Sequence, residues 1–446
     1  MTTNDTIAAL ATPPGTGGVA IIRISGGDAL AIGEKLSGKN PAPRHATLAE
    51  LHDADGSLID QVLLLYYPAP HSYTGEDTLE IHGHGGIAVS RTVLTAVLNA
   101  GARLAEPGEY SRRAYQNGKI DLAQAEAIAD LINARTTAAV KAATRSLQGA
   151  FSQEVNALAA ELLTLRAYIE AALDFPEEEN DYLGEGDLAA RLHHWGERLA
   201  RLLAQSTQGR LMNDGINLVI AGKPNAGKSS LLNALLGEDR AIVTAQAGTT
   251  RDIVRETLNI AGVPVNVLDT AGLRDAADPI EQEGIRRTKQ ALASADLILL
   301  LVDGSTLVDG DDPAADLPPE TAATPRLIAY NKADQTPPAV QAQHPDALWL
   351  SAKTGAGIDA LRHAIAAAVG RDEHEETPYI ARERHLRALK QAARHHRDAL
   401  DQLDARNGEL LAEDLRLAHD ALGSITGATT SDDLLGHIFS SFCIGK

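Results

Sequence analysis

Cysteine is nearly absent from this chain of 446 residues: there is one, Cys443. A single thiol cannot close an intrachain disulfide, and this usage suits a reducing cytoplasm. Aromatic residues are also scarce, at 3%, so Ala, Leu, Ile and Val must build the cores. Long apolar runs are missing too. The longest purely aliphatic one, Leu297 to Val302, is far too short to span a bilayer, and no membrane partner is expected. The opening Met-Thr-Thr-Asn-Asp lacks the basic start and apolar stretch of a signal peptide. Positive charge is in deficit: 40 Lys and Arg face 60 Asp and Glu, a net charge of −20. That argues against broad non-specific nucleic-acid binding, which needs a basic surface. It leaves room for a local basic patch, or for an RNA brought in partly by a partner.

What is present is a phosphate loop in mid-chain. Gly222 to Ser229 reads Gly-Lys-Pro-Asn-Ala-Gly-Lys-Ser. The β-branched, apolar Ile216 to Ala221 before it predicts a buried strand, and Ser229 to Leu236 after it predicts a helix. Such a loop wraps backbone N–H groups around phosphates, and the helix N-terminus adds a positive dipole. Asn225, Ala226, Gly227, Lys228, Ser229 and Ser230 are therefore expected at a nucleoside triphosphate. Lys228 should reach the β- and γ-phosphates, and the Ser229 hydroxyl should ligate Mg²⁺.

Three further motifs follow, each after a predicted strand. Asp269-Thr270-Ala271-Gly272 ends the stretch Val263 to Leu268. An Asp there suits the surroundings of Mg²⁺, and the Gly272 N–H can meet the γ-phosphate. Asn331-Lys332-Ala333-Asp334 follows Arg326 to Tyr330. The Asp334 carboxylate can accept from both guanine N1–H and the 2-amino group, which adenine cannot match. Ser351-Ala352-Lys353 follows Ala347 to Leu350 and completes the base pocket. Ligands of open α/β sheets bind just beyond such strand ends. In this order, within about 130 residues, the four motifs resemble the G1, G3, G4 and G5 boxes of Ras-like GTPases, so the nucleotide is expected to be GTP.

The flanking sequence is of another kind. Residues 1–119 alternate strand-like segments (Gly18 to Gly26, Gln61 to Tyr67, Thr78 to His82) with a helical one, Ile87 to Leu98, and predict an α+β domain. From 120 to 214 the pattern is helical. Leu147, Phe151, Val155, Leu158, Leu162, Leu165, Ile169 and Leu173 read as one long amphipathic face. Asp174 to Gly186, with the acidic Glu177 to Glu179, interrupts it. The GTPase segment spans 215–371. Helices return over 372–446, at Glu383 to Leu403, Glu409 to Leu422 and Asp432 to Phe439. The expectation is a multidomain chain of α/β and all-α parts, with a GTPase domain inserted into a split helical domain. His82 and His84 share a strand face without an evident third metal ligand. His193-His194 and His395-His396 read as helix-surface pairs.

The chain's ends make the likeness specific. Ala11-Thr12-Pro13-Pro14-Gly15, Pro107 to Ser111, Asn117 to Leu122, Asp174 to Glu179 and the closing Cys443-Ile444-Gly445-Lys446 resemble the MnmE (TrmE) family of tRNA-modification GTPases over essentially the whole length. The resemblance implies an N-terminal domain that binds folate and forms a homodimer. It places folate contacts at Arg23, Glu80, Lys119 and Lys446, and a near-terminal cysteine, Cys443, with a possible role in one-carbon chemistry. It also implies a flavin-bearing (FAD) partner similar to MnmG, tRNA as substrate, and a tetrahydrofolate derivative as one-carbon donor. The product would be a carboxymethylaminomethyl or aminomethyl group at C5 of a wobble uridine.

Hydrolysis has its own signature. Ras-like enzymes carry a water-orienting glutamine directly after D-x-x-G; here that position is Leu273. The motif match points instead to Glu281. Without an obvious arginine finger, the family's K⁺ ion becomes the expected charge stabiliser, held by Asn225, Thr244, Gln246 and Thr249. These last three lie in Thr244-Ala245-Gln246-Ala247-Gly248-Thr249-Thr250, where Thr250 is expected on Mg²⁺. The competing expectation is a ribosome-assembly GTPase acting as an RNA-binding timer. Against it, the flanks are acidic and helical and show no KH-type G-x-x-G motif.

Overall fold

A computed structural model describes residues 5–174, 186–237, 255–269, 292, 295–307, 314, 317–322, 324–369, 379–429 and 432–445. The chain divides into two compact units, 1–129 with 420–446, and 130–419.

The first unit holds β1 (Ile7–Leu10), β2 (Ala20–Ser25), α1 (Ala29–Ser37), β3 (Thr47–His52), β4 (Leu58–Tyr67), β5 (Thr78–Gly83), α2 (Ile87–Asn99), β6 (Arg103–Leu104), α3 (Glu109–Gln116) and most of α4 (Leu122–Asn133). Its sheet runs β3-β4-β5-β2-β1-β6, antiparallel except for the β1–β6 pair. Strand alternation sends Ile22, Ile24, Leu79 and Ile81 into one core with Ile32, Val93 and Val97 from α1 and α2. The same alternation sets Arg23 directly across from Glu80 in the β2–β5 register. A C-terminal helix, Asp432–Ser440, belongs to this unit, and Ile438, Phe439 and Phe442 pack on Leu122 and Ala125. Gly108 (φ 67°) lies under it, where a Cβ would strike the Phe439 carbonyl. The final turn reaches β1: a Cβ on Gly445 would strike the Leu10 carbonyl.

The second unit joins helices to a GTPase sheet. Its elements are α5 (Thr137–Leu147), α6 (Ala150–Asp174), α7 (Gly186–Asp214), β7 (Ile216–Ala221), α8 (Lys228–Leu236), β8 (Arg255–Ile260), β9 (Val263–Asp269), β10 (Leu297–Asp303), β11 (Arg326–Asn331), α9 (Pro338–Gln343), β12 (Leu348–Trp349), α10 (Ile358–Ala368), α11 (Glu383–Asp404) and most of α12 (Gly408–Thr426). The sheet order is β12-β11-β10-β7-β9-β8, parallel except for the β8–β9 hairpin. The run Leu297 to Leu301 is buried on both faces, as a central parallel strand should be.

Two expectations need correction. The face from Leu147 to Leu173 belongs to two helices. Leu147 ends α5, Gly149 takes a left-handed φ of 90°, and α6 carries the buried row from Phe151 to Ile169. His396 is not at the surface. It is 8% exposed, packs on Trp195 with ring centroids 5.2 Å apart, and its Nε2 bonds the Leu192 carbonyl at 2.8 Å. Burial holds its pKa below the usual histidine value. Gly196 of α7 permits this approach, since a Cβ there would meet the imidazole.

The GTPase sheet is tied closely to the helices on either side of it in sequence. Only Gly215 separates α7 from β7; its φ is 69°, and a Cβ would strike the Pro264 carbonyl. On the return, Ser146 Oγ accepts from the Ile380 amide at 2.9 Å, and Arg382 forks onto Asp130 with a shortest contact of 2.6 Å. Among the described residues no helix is long and apolar enough to cross a membrane.

Candidate functional site

The phosphate loop leaves β7 at Gly222. A side chain there would strike the Leu301 carbonyl of neighbouring β10, so the loop can turn over the sheet only with glycine at this position. Asn225 adopts φ 66°, and Gly227 adopts φ 95° as the residue that opens α8. Lys228 folds back across the loop. Its ammonium donates to the carbonyls of Gly222 at 2.8 Å and Lys223 at 3.1 Å, bridging the two ends of the loop. Ser229 and Ser230 stand exposed on the first turn of α8, where helix amides offer themselves to an anion.

The segments expected to face the base are organised by Asn331, the last residue of β11, which is 3% exposed. Its Nδ2 donates to the Ala226 carbonyl at 2.8 Å, and its Oδ1 accepts from the Ala352 amide at 3.0 Å. One amide thus ties its own strand end to two segments, 105 and 21 residues away in sequence. Ala333 donates its N–H to the Leu350 carbonyl at 3.0 Å, a second tie between the two loops. Asp334 is exposed and accepts from Ser351 Oγ at 2.7 Å. That hydroxyl is the main reason its carboxyl lies below the usual range. Lys332 (φ 63°) pairs with Asp303 at 2.6 Å, and Lys353 lends Asp334 a favourable charge. Partial burial works to raise the Asp303 carboxyl, but Lys332 and the Ser305 hydroxyl and amide outweigh it and lower it.

Asp269 ends β9 by its backbone. Thr244, Ala245, Gln246, Ala247, Gly248, Thr249, Thr250, Thr270, Ala271, Gly272, Leu273, Glu281 and Lys446 lie outside the described residues.

A second cluster occupies the first unit. Arg23 Nε donates to Glu80 at 2.9 Å, and His82 Nε2 meets the other Glu80 oxygen at 3.1 Å. The Arg23 guanidinium lies 5.6 Å from the centre of the Tyr73 ring and 5.8 Å from that of Tyr110. Tyr110 fixes the strand beneath by donating to the Arg23 carbonyl at 2.6 Å. Burial raises the pKa of both phenols. Lys119 Nζ donates to the Pro70 carbonyl at 2.9 Å, on the loop that also supplies Tyr73. Cys443 is exposed, and its carbonyl accepts from the Gly108 amide at 3.3 Å. The cluster combines a cation, a carboxylate and two aromatic faces, which suits a flat heteroaromatic ligand with acidic substituents. His82 and His84 serve different carboxylates, Glu80 and Asp60.

Two family models match the chain: "GTP-binding protein TrmE N-terminus" over residues 6–119 and "MnmE helical domain" over residues 122–443. A tRNA modification GTPase MnmE of Dichelobacter nodosus is 57% identical over 456 aligned residues, covering 100% of each chain. This chain belongs to the MnmE family. The MnmE of Stutzerimonas stutzeri is 52% identical, with 99% of each chain covered. Among solved structures, the FeoB G-domain of Methanococcus jannaschii is 24% identical. It covers 35% of this chain and 97% of that one, with a TM-score of 0.26.

Within this chain, Tyr73 and Asp303 were not singled out from sequence; His82 was read only as one of a strand-face histidine pair, and Tyr110 only as part of the motif Pro107 to Ser111. Asp303 could have been singled out, because it ends a strand next to the phosphate-loop strand much as Asp269 does. Tyr73 lies in a loop and carries no periodic signal.

Proposed function

We propose that the chain hydrolyses GTP with K⁺ stimulation. With a flavin-dependent, MnmG-like partner, it adds a carboxymethylaminomethyl or aminomethyl group to C5 of the wobble uridine of certain tRNAs in the cytoplasm. Full-length membership of the MnmE family carries this reading.

The described residues fit the roles it requires. Lys228 and the α8 amides bind phosphate, Asn331 holds the loops in register, and Asp334 selects guanine. Asn225, within the phosphate loop, would hold K⁺ together with Thr244, Gln246 and Thr249, which lie outside the described residues; Ser229 and Thr250, the latter also outside them, would hold Mg²⁺. When bound, these ions supply charge neutralisation at the phosphates. Glu281 orients the attacking water. The Arg23–Glu80 cluster, with Lys119 and Lys446, would hold a folate: a carboxylate suits pterin N–H groups and cations suit its glutamate. Bound, that folate would supply the one-carbon unit, and Cys443 is the chain's one thiol. A homodimer through the first unit would cover Leu48 and Leu63, cross-strand partners that stand 60% and 42% exposed.

Mass spectrometry of tRNA nucleosides from a deletion strain tests the reading. C5-substituted wobble uridines should disappear and return with the wild-type gene. With Glu281→Gln they should stay absent, because single-turnover hydrolysis is lost while GTP affinity holds; Cys443→Ser reports on the thiol. Normal nucleosides in the deletion strain overturn the proposal. Separately, hydrolysis should proceed in KCl and fall at least about ten-fold in NaCl, the loss of roughly one charge-stabilising contact. Equal rates in the two salts remove K⁺ from the mechanism.

A further inference from the structure

The corner between α4 and α5 grips one element of the GTPase sheet, the β8–β9 hairpin. Thr136 is 6% exposed and caps α5, accepting from the Ala139 amide at 3.1 Å. Its hydroxyl donates its one proton to the Gly262 carbonyl at the hairpin tip, at 2.9 Å. The tip is shaped for this bond. Gly262 N–H turns inward to Asn259 Oδ1 at 3.0 Å, and φ is 84°. A Cβ on Gly262 would come within 3.0 Å of the Ala138 methyl. Beside it, Arg135 Nη1 donates to Thr257 Oγ1 at 2.9 Å. Thr257 faces Asn266 across the two strands, and their side chains bond at 3.1 Å. The arginine therefore holds a cross-strand pair, with one bond on the strand pair and the threonine bond on the tip.

We infer that Arg135 and Thr136 form a seat that couples the GTPase domain to the helical body, with Thr136 as a positioning residue for tRNA modification. Both strands of the hairpin lead from this seat towards the nucleotide. β9 ends at Asp269, and β8 begins five residues after Thr250 in sequence. At about 3.3 Å per residue, β9 carries a displacement roughly 20 Å from site to seat. A strand paired on both sides cannot slip by one residue without inverting its buried face, and β9 is paired with β7 and β8. A shift at its Asp269 end is therefore delivered to Gly262 as a rigid movement, and Thr136 receives it there through a hydrogen bond. The inference needs only the GTPase and tRNA-modification activities of the proposed function, not K⁺, folate or Cys443.

Thr136→Val keeps the shape and removes the hydroxyl; Thr136→Ser keeps the hydroxyl. In the full chain with its partner, Thr136→Val should hydrolyse GTP and bind GDP within about two-fold of wild type. Uridine modified per GTP hydrolysed should fall about ten-fold, the effect of losing the buried bond to Gly262, and Thr136→Ser, which keeps both that bond and the α5 cap, should restore it. Hydrogen exchange at the first turn of α5 should differ between GDP and a GTP analogue in wild type and not in Thr136→Val. Gly262→Ala leaves Thr136 intact and wedges the seat open; it should uncouple in the same way, which keeps the test available if Thr136→Val folds poorly. Unchanged modification per GTP in both variants overturns the inference. So does a parallel fall in hydrolysis and modification, the mark of a purely structural role. A wild type that hydrolyses GTP but modifies no tRNA would instead count against the proposed function.

Discussion

Asp334→Asn is expected to weaken GTP and GDP binding by about a hundred- to a thousand-fold while improving binding of xanthosine nucleotides. The carboxylate can accept from guanine N1–H and from the 2-amino group together. Hydrogen bonds to a charged group contribute about 1.5–3 kcal/mol each. Asparagine keeps the shape and one acceptor, but it turns an NH₂ towards the 2-amino group. The lost bond and the facing donors together cost about 3–4 kcal/mol, which is the stated range. Xanthine carries an oxygen at that position and matches the asparagine NH₂. The Ser351 hydroxyl, 2.7 Å from Asp334 Oδ1, holds the carboxylate in place and still leaves lone pairs on both oxygens for the base. Because that hydroxyl lowers the Asp334 carboxyl, base selectivity should stay flat from neutral pH down to about pH 5. Asp334 is exposed, so the melting temperature without nucleotide should barely move. Competition of GDP and xanthosine diphosphate for a fluorescent nucleotide measures the switch. An unchanged ratio would mean that the base is read elsewhere.

The nucleotide site was legible in sequence because its parts are local. A strand, a fixed loop and a helix start occupy consecutive residues at β7 and α8, and the base motifs sit directly after strands β11 and β12. The first unit was harder to read. In β3, Ala49 and Leu51 are buried while Leu48 is 60% exposed, so an apolar residue on each face blurs the alternation. The break between α5 and α6 was hidden because Leu147 and Phe151 are four residues apart, so the helical period runs straight across Gly149. His396 could have been placed: it shares a face with Leu389, Ala392, Ala399 and Leu403, all buried at steps of three and four. The Arg23–Glu80 pair spans 57 residues and depends on strand register, which no local pattern encodes. The role of Asn331 as a tie is equally non-local, since its partners lie on two other loops.

Glu109→Gln is expected to destabilise the first unit by about 3–5 kcal/mol, the usual cost of removing one partner from a buried ion pair. Glu109 is fully buried at the start of α3. Its oxygens accept from Arg103 at 2.7 and 2.9 Å, from Arg113 at 3.0 Å and from the Glu106 amide at 2.8 Å. Arg113, itself 2% exposed, keeps Asp5 at 2.8 Å and Glu76 at 3.1 Å but loses its closest buried anion. The new amide also turns a donor towards guanidinium groups that can only donate. In a unit of this size the melting temperature should fall by about 10 °C or more. GDP affinity, which belongs to the other unit, serves as the internal control. The pH dependence supplies the sign. Burial works to raise the Glu109 carboxyl, and Arg103, the Glu106 amide and Arg113 outweigh it, so the folded value is lowered. Stabilisation from such a group is complete above the ordinary glutamate pKa of about 4.3 and fades as pH falls through the lower folded value. Wild type and Glu109→Gln should therefore differ most at neutral pH and converge only once pH has fallen below the lowered folded value, where both side chains are neutral. A gap that stays constant down to that pH would show that shape, not charge, makes Glu109 necessary.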